Sequence, residues 1–330
     1  MASGATVLMA NAMRQFLDFE KSVAELETKI DELRQMSGSE GVNIADEVGR
    51  LSEKAEKQLR GIYGKLTPAQ KVQVARHAQR PHAQDYIRAL ITEFTPLAGD
   101  RLSAEDKAVV GGVGRFEGQP VVVIGTERGS DLETRLVHNF GMARPEGYRK
   151  AQRLVELAAR FGLPILTFVD TAGAWPGIDA EQRGQAEAIA RSIDVFLNAP
   201  VPVIVTVIGE GGSGGAVALG AGDRILMLEH AIYSVISPEA CASILWRDPK
   251  QAPTAAEALR LTAQDLLELG LIDRIIPEPL GGAQREPAKA LETVRKAIAA
   301  ELPELLGLEP ALLRARRREK FLAMGREAVT

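Results

Sequence analysis

A single cysteine, Cys241, in 330 residues leaves no partner for an intramolecular disulfide. With only four histidines beside it, the chain carries no Cys/His set at the spacing of a structural zinc site. A reducing, cytoplasmic compartment is the expectation. Positive charge is not in excess: 40 Lys and Arg stand against 44 Asp and Glu, a net of -4. That balance excludes the dominant basic surface that a nucleic-acid backbone requires. No run approaches the roughly 18 apolar residues of a membrane span, and the opening MASGATVLMANAM lacks the basic start and long apolar stretch of an export signal. Neither nucleic acid nor membrane is an expected partner.

What is present is material for one large core, with 45% hydrophobic and 25% charged residues. Phe16, Phe19, Val23, Leu26, Ile30 and Leu33 recur at steps of three and four, which predicts one apolar seam on a helix over residues 16 to 36. Ile44, Val48, Leu51, Ala55 and Ile62 repeat the device, and the Ser37-Gly38-Ser39-Glu40-Gly41 stretch reads as the turn of a helical hairpin. The hairpin is expected to pack on its own body or on a partner chain, with a homotypic coiled coil as the alternative. Pro68 suits a first helical turn, predicting a helix into the Ala75 to Arg80 region that Pro81 interrupts.

From Lys107 the texture turns to β structure: AVVGGVGRF, then EGQP, then VVVIGTE, a hairpin around a Gly/Pro turn. Helices are predicted at Glu146 to Phe161 and Arg183 to Leu197, with buried strands at PILTFVD and PVPVIVTVIG. The fold class is therefore α/β, built of successive ββα-type units whose strand ends carry glycine-rich loops, where such folds bind ligands. Ala255 to Leu269 reads as a helix, LIDRIIPEP as a short strand, and the basic run at Arg314, Arg316, Arg317, Arg318 and Lys320 as a solvated helix face. Three regions are expected: an N-terminal helical extension over residues 1–100, a core over 101–285 and C-terminal helices over 286–330.

The segment IGEGGSGGAVALGAGD admits three mechanisms. Gly209, Gly211 and Gly214 satisfy G-x-G-x-x-G, but glycines at 220 and 222 leave too short a helix for a dinucleotide unit. Gly211-Gly212-Ser213-Gly214-Gly215 fits the G-x-S-x-G of a hydrolase elbow, yet His230 follows Asp223 too closely for an ordinary triad. In the third reading Ser213 caps a short helix, so that the free amides of Gly214 and Gly215 form an oxyanion site. A tight turn that binds nothing is the plain alternative. A companion loop, Asp170-Thr171-Ala172-Gly173-Ala174-Trp175-Pro176-Gly177, follows the other apolar strand. There Asp170 and Thr171 read as local backbone acceptors, and Trp175 as the wall of a pocket or as core.

FLDFE at 16 to 20, RHAQRPHAQDYI at 76 to 87, NFGMARPEGYRKA at 139 to 151, IGEGGSGGAVALG at 208 to 220, YSVISPEACASILW at 233 to 246 and LIDRIIPEPLGGA at 271 to 283 resemble one family over nearly the whole chain. It is the acetyl-CoA carboxylase carboxyltransferase alpha subunits of bacterial type. The resemblance implies a ClpP/crotonase-like fold and transfer of a carboxyl group from carboxybiotin, delivered by a biotin carboxyl carrier protein, to acetyl-CoA, giving malonyl-CoA. It implies an α2β2 assembly with a beta subunit that carries the zinc, biotin carboxylase in the full complex, and no cofactor held covalently by this chain. It assigns the amides of Gly214 and Gly215 to the biotin ureido oxygen, and Gly173, Ala174, Trp175, Gly177, Gly211, Gly212 and Ser213 to the substrate pocket. The chain departs from the family where Ala172 replaces a usual proline, Trp175 a usual tyrosine, and Ser130 and Glu133 usually basic positions. A stand-alone acyl-CoA hydratase or isomerase, needing a cleft carboxylate such as Glu210, and a non-catalytic assembly subunit are the competing functions.

Overall fold

The computed structural model describes residues 14–36 and 44–326. Alternating apolar runs and amphipathic helices fold into one eight-stranded sheet with helices packed on it. Its strands are β1 (Ile91–Pro96), β2 (Val109–Phe116), β3 (Gln119–Thr126), β4 (Ile165–Thr171), β5 (Val203–Gly212), β6 (Arg224–Leu228), β7 (Ile232–Ser234) and β8 (Arg274–Ile276). Their order is β1-β2-β3-β4-β5-β6-β8, with β7 paired only to β5. The first three strands run antiparallel, joined at β2 and β3 by the predicted hairpin, and every later pairing is parallel.

Parallel strands need crossovers, and the helices Pro145–Phe161 and Gln185–Asn198 supply them between β3, β4 and β5. The strands that follow them, β4 and β5, are buried along their whole length, which is why they read as unbroken apolar runs. At its far end β5 leaves the main sheet: Val169 pairs with Val207, but Thr171 with Gly211, so β5 carries two extra residues in a bulge. Beyond it, Glu210, Gly211 and Gly212 pair with Ile232, Tyr233 and Ser234 of β7. Half of the predicted glycine loop is thus strand.

The N-terminal seam begins later than its periodicity predicts, because Asp18–Glu20 is a 3-10 turn and the helix proper is Lys21–Met36. It packs on the helix Ile44–Tyr63; the predicted turn between them lies outside the described residues. The hairpin docks on its own body. Val23, Leu59, Tyr63 and Val74 form a small core with Leu280, and Arg285 reaches Glu27 at 2.7 Å and Glu20 at 3.3 Å. Thr67 caps the helix Pro68–Ala75, which stops at Ala75, short of the predicted Ala75 to Arg80 end, and the chain turns through residues 76–82 before the helix Ala83–Leu90. The predicted helix from Ala255 to Leu269 is two, Ala252–Ala258 and Ala263–Glu268, because the Thr262 side chain accepts the Asp265 amide and starts a new one.

The C-terminal helices Pro287–Leu306 and Pro310–Ala323 supply Val294, Ile298, Leu302, Leu305 and Leu313 to the main core. The basic run there is not a wholly solvated face. Arg317 is 1% exposed and grips Asp223 through Nε at 2.9 Å and Nη2 at 2.6 Å. Its remaining donors reach the carbonyls of Phe196, Ala199 and Val201 at 2.7, 2.9 and 2.8 Å, closing the C-terminal end of the helix Gln185–Asn198. Among the described residues no helix is long and apolar enough to cross a membrane.

Candidate active site

The loops after β4 and β5 meet at the carboxyl ends of adjacent parallel strands. Their approach is close enough to demand glycine: a Cβ on Gly212 would stand 2.2 Å from the Ala172 carbonyl oxygen, and one on Gly215 2.6 Å from the Gly173 carbonyl carbon. Backbone on both sides cannot yield, so these two glycines are fixed by the contact between loops. Gly214 is the accessible member, half-buried, with room beside it: a Cβ there would make ordinary contact with Ile189 at 3.6 Å.

The short helix after β5 runs Ser213–Gly220, and its cap position is Gly212, not Ser213. No side chain caps it. Ser213 instead takes φ of 52°, a left-handed conformation costly for a residue with a Cβ, at the point where strand turns into helix. The amides of Gly214 and Gly215 fall in the first helical turn, where no intrahelical acceptor exists, and no turn or side-chain acceptor takes them among the described residues. Two N–H groups beside a helix N-terminus favour a negatively charged oxygen.

The companion loop surrounds them. Gly173 and Ala174 lie against Gly215, and Thr171 Oγ1 exchanges hydrogen bonds with the Gly173 backbone. Trp175 is half-buried; its Nε1 donates to Asp179 at 3.1 Å and its ring lies under the Arg144 guanidinium at 5.3 Å. Gly177 sits where a Cβ would strike the Trp175 ring nitrogen at 2.2 Å. Gly211 faces Tyr233 of β7 instead of open space, so it serves the pairing of strands.

Beneath both loops lies a charged network that periodicity and motifs do not disclose. Glu210, 3% exposed, receives Arg76 Nη2 at 2.7 Å and Arg128 Nη1 at 3.2 Å. Arg128 Nη1 also reaches Asp170 at 3.1 Å, and the Asp170 carboxylate accepts the Glu210 amide at 2.9 Å. Asp170 is therefore no local turn acceptor; it ties the end of β4 to the bulge of β5. Burial would raise its pKa, but Arg128, His82 and the Glu210 amide hold it well below the carboxylate range. A second buried pair braces the site from behind: Arg80 binds Glu278 through two bonds of 2.8 Å and donates to the Ile208 carbonyl at 3.0 Å. Despite burial, Arg80 pulls the Glu278 pKa down to about 2.

This geometry weighs the competing mechanisms. Glu210 is ion-paired to two arginines and sealed from solvent, so it offers no acid/base carboxylate for a hydratase. His230 is no partner for Ser213: its ring lies edge-on to Tyr63 at 5.4 Å, its amide donates to Glu278, and burial lowers its pKa. What remains is the pair of amide donors of Gly214 and Gly215, beside the Gly173 and Ala174 backbone.

A profile of acetyl co-enzyme A carboxylase carboxyltransferase-like proteins matches residues 16–325. The chain belongs to that family. It is 77% identical to the acetyl-coenzyme A carboxylase carboxyl transferase subunit alpha of Gluconacetobacter diazotrophicus over 318 residues, which cover 96% of this chain and all of the relative. Among solved structures, a Pseudomonas malonate decarboxylase hetero-tetramer in complex with coenzyme A superposes with a TM-score of 0.55 at 20% identity, covering 67% of this chain and 87% of that one. The geranyl-CoA carboxylase beta subunit of P. aeruginosa gives 0.54 at 17% identity, over 77% of this chain and 45% of that longer one. At such identities the likeness concerns the fold, which is the crotonase-like fold expected from the sequence. Within the carboxyltransferase family the glycine loops of this chain are therefore set on a carboxyltransferase scaffold, and the buried arginine network is what holds them together.

Proposed function

We propose that this chain is the alpha half of an acetyl-CoA carboxylase carboxyltransferase, in which the amides of Gly214 and Gly215 hold the ureido oxygen of biotin. The observation that carries the reading is the pair of amides without protein acceptors at the start of Ser213–Gly220, walled by Gly173 and Ala174. Carboxybiotin releases CO2 and leaves negative charge on the ureido oxygen and nitrogen; amide donors aimed at that oxygen lower the energy of the step. The ureido nitrogen then takes a proton from the acetyl methyl group, and the resulting enolate carbon bonds to CO2, giving malonyl-CoA and neutral biotin. No protein base is required, in keeping with the sealed state of Glu210.

The reaction develops charge on a second oxygen, that of the thioester, and the glycine loops offer the one amide pair at Gly214 and Gly215 among the described residues. A beta subunit carrying the zinc and the second oxyanion site, in an α2β2 complex with carrier protein and biotin carboxylase in the cytoplasm, completes the reading. Large apolar side chains left in solvent support such a partner: Ile178 is 78% exposed, Val235 75% and Ile244 70%. The pocket residues on this side are Gly173, Ala174, Trp175, Gly177, Gly211, Gly212 and Ser213.

Substitution at Ser213 separates amide chemistry from a hydroxyl nucleophile. Ser213→Gly is expected to leave turnover of the assembled enzyme within a few-fold and to raise stability by about 1 kcal/mol, since glycine adopts the positive φ without strain. Turnover and a thermal melt of the same preparation check both parts. A loss of activity beyond about a hundredfold in a folded variant returns the hydrolase mechanism to consideration.

A further inference from the structure

One helix touches both glycine loops. The helix Gln185–Asn198 begins beside the companion loop and packs on the short helix Ser213–Gly220, and its residues Gln185 and Ile189, one turn apart, share a face. Ile189 lies against Gly214, its Cγ2 3.6 Å from where a Cβ would stand on that glycine. Gln185 turns to the other loop. It is 3% exposed, and its Nε2 donates to the Ala143 carbonyl at 2.9 Å and to the Trp175 carbonyl at 3.0 Å.

Both hydrogens of that amide nitrogen are spent in this way, and only a nitrogen can face two carbonyl oxygens, so the side chain has one orientation. The Ala143 carbonyl also accepts the Trp175 N–H at 2.9 Å. Trp175 is thereby tied through its N–H and its carbonyl to a junction of three segments: the start of Gln185–Asn198, the turn before Pro145–Phe161 and the companion loop itself. Directly before it, the Gly173 carbonyl carbon and the Ala174 nitrogen press on Gly215, at 2.6 and 2.7 Å from the place of a Cβ. A shift of the Trp175 backbone is passed to that contact, because neither side has room to absorb it.

We infer that Gln185 is a positioning residue of the oxyanion site: from one helix face it fixes the Ala174–Trp175 backbone relative to the helix that bears the Gly214 and Gly215 amides. It acts through that backbone and not on substrate. The inference rests on the reading of those amides as the seat of the biotin ureido oxygen. A neutral donor is needed at 185, since a side chain without one releases the Trp175 carbonyl and an anion repels it.

Carboxyl transfer from malonyl-CoA to biotin by the assembled enzyme, measured for Gln185→Leu and Gln185→Glu, tests the role. Gln185→Leu is expected to lower kcat/KM for biotin by about tenfold to a hundredfold, since a misplacement of about 1 Å costs up to about 10²-fold. KM for biotin rises, while KM for malonyl-CoA, whose thioester the reading places on the beta subunit, stays within about twofold. Gln185→Glu is close to isosteric and carries the test should Gln185→Leu fail to assemble. Burial and two facing carbonyls favour the neutral acid, which donates to one of them, so the introduced carboxyl titrates well above the usual carboxylate range. The rate of Gln185→Glu relative to the native enzyme is therefore expected to be highest near about pH 6 and to fall towards about pH 9, with the ratio for Gln185→Leu flat. A native kcat/KM for biotin in assembled Gln185→Leu, or a Gln185→Glu ratio flat in pH with KM for biotin unmoved, overturns the positioning role. Gly215→Val measured beside them tells that failure from a failure of the oxyanion reading: it loses turnover in the first case and keeps it in the second.

Discussion

Gly215→Val is expected to lower carboxyl transfer by the assembled enzyme by about 10²- to 10³-fold, the range seen when an oxyanion donor is lost. A Cβ at 215 stands 2.6 Å from the Gly173 carbonyl carbon and 2.7 Å from the Ala174 nitrogen, so the branched side chain drives the two loops apart. The amides then move off the oxygen they stabilise. Gly214→Ala is the control, because its added methyl meets Ile189 at an ordinary 3.6 Å and the N–H survives. It is expected to retain turnover within a few-fold. Steady-state rates of the two variants in the same assembled complex make the comparison. Near-normal turnover of a folded Gly215→Val enzyme contradicts the site.

The largest effect on stability is expected far from the chemistry. Arg317→Ala removes the guanidinium paired with the Asp223 carboxylate and takes a donor from each of the carbonyls of Phe196, Ala199 and Val201 at the end of the helix Gln185–Asn198. Breaking a buried pair by deleting one partner costs about 3–5 kcal/mol, because a buried charge is left uncompensated. Urea denaturation of the variant against the native chain measures it. A shift worth under about 1 kcal/mol means that water enters to replace the guanidinium, and that the C-terminal helix is an accessory to the core.

The glycine loops were legible because their chemistry is local. Apolar runs such as PILTFVD end abruptly, and glycine marks the turn that follows; the strands β4 and β5 fall where those runs lie. The network beneath was not legible, because it joins residues far apart in the chain: Arg76 is 134 positions from Glu210, Arg128 is 82, and Arg128 is 42 from Asp170. No spacing rule reaches so far. A weaker signal was present in each strand, since a carboxylate at the end of an unbroken apolar run has to find a cation once that run is buried.

Arg317 shows the same limit and a missed clue. Four basic residues among five positions, 314 to 318, suggest a solvated face, yet Arg317 stands four residues after the buried Leu313 and four before the partly buried Phe321. Helical periodicity thus put it on the inner face. Ser213 misled in another way: serine before a helix is a good cap by composition, but the loop contacts at Gly212 and Gly215 set the backbone, and the cap geometry was lost to them. Trp175, where the family usually has tyrosine, found a partner that tyrosine offers differently, an indole N–H to Asp179.

Carboxyl transfer between malonyl-CoA and biotin, assayed with the purified chain before and after addition of a beta subunit, tests the division of labour most directly. One amide pair for two developing oxyanions predicts no measurable transfer from this chain alone, transfer on mixing, and a heterotetramer by light scattering. Robust transfer by a preparation verified to hold this chain only would place both oxyanion sites here and contradict the account.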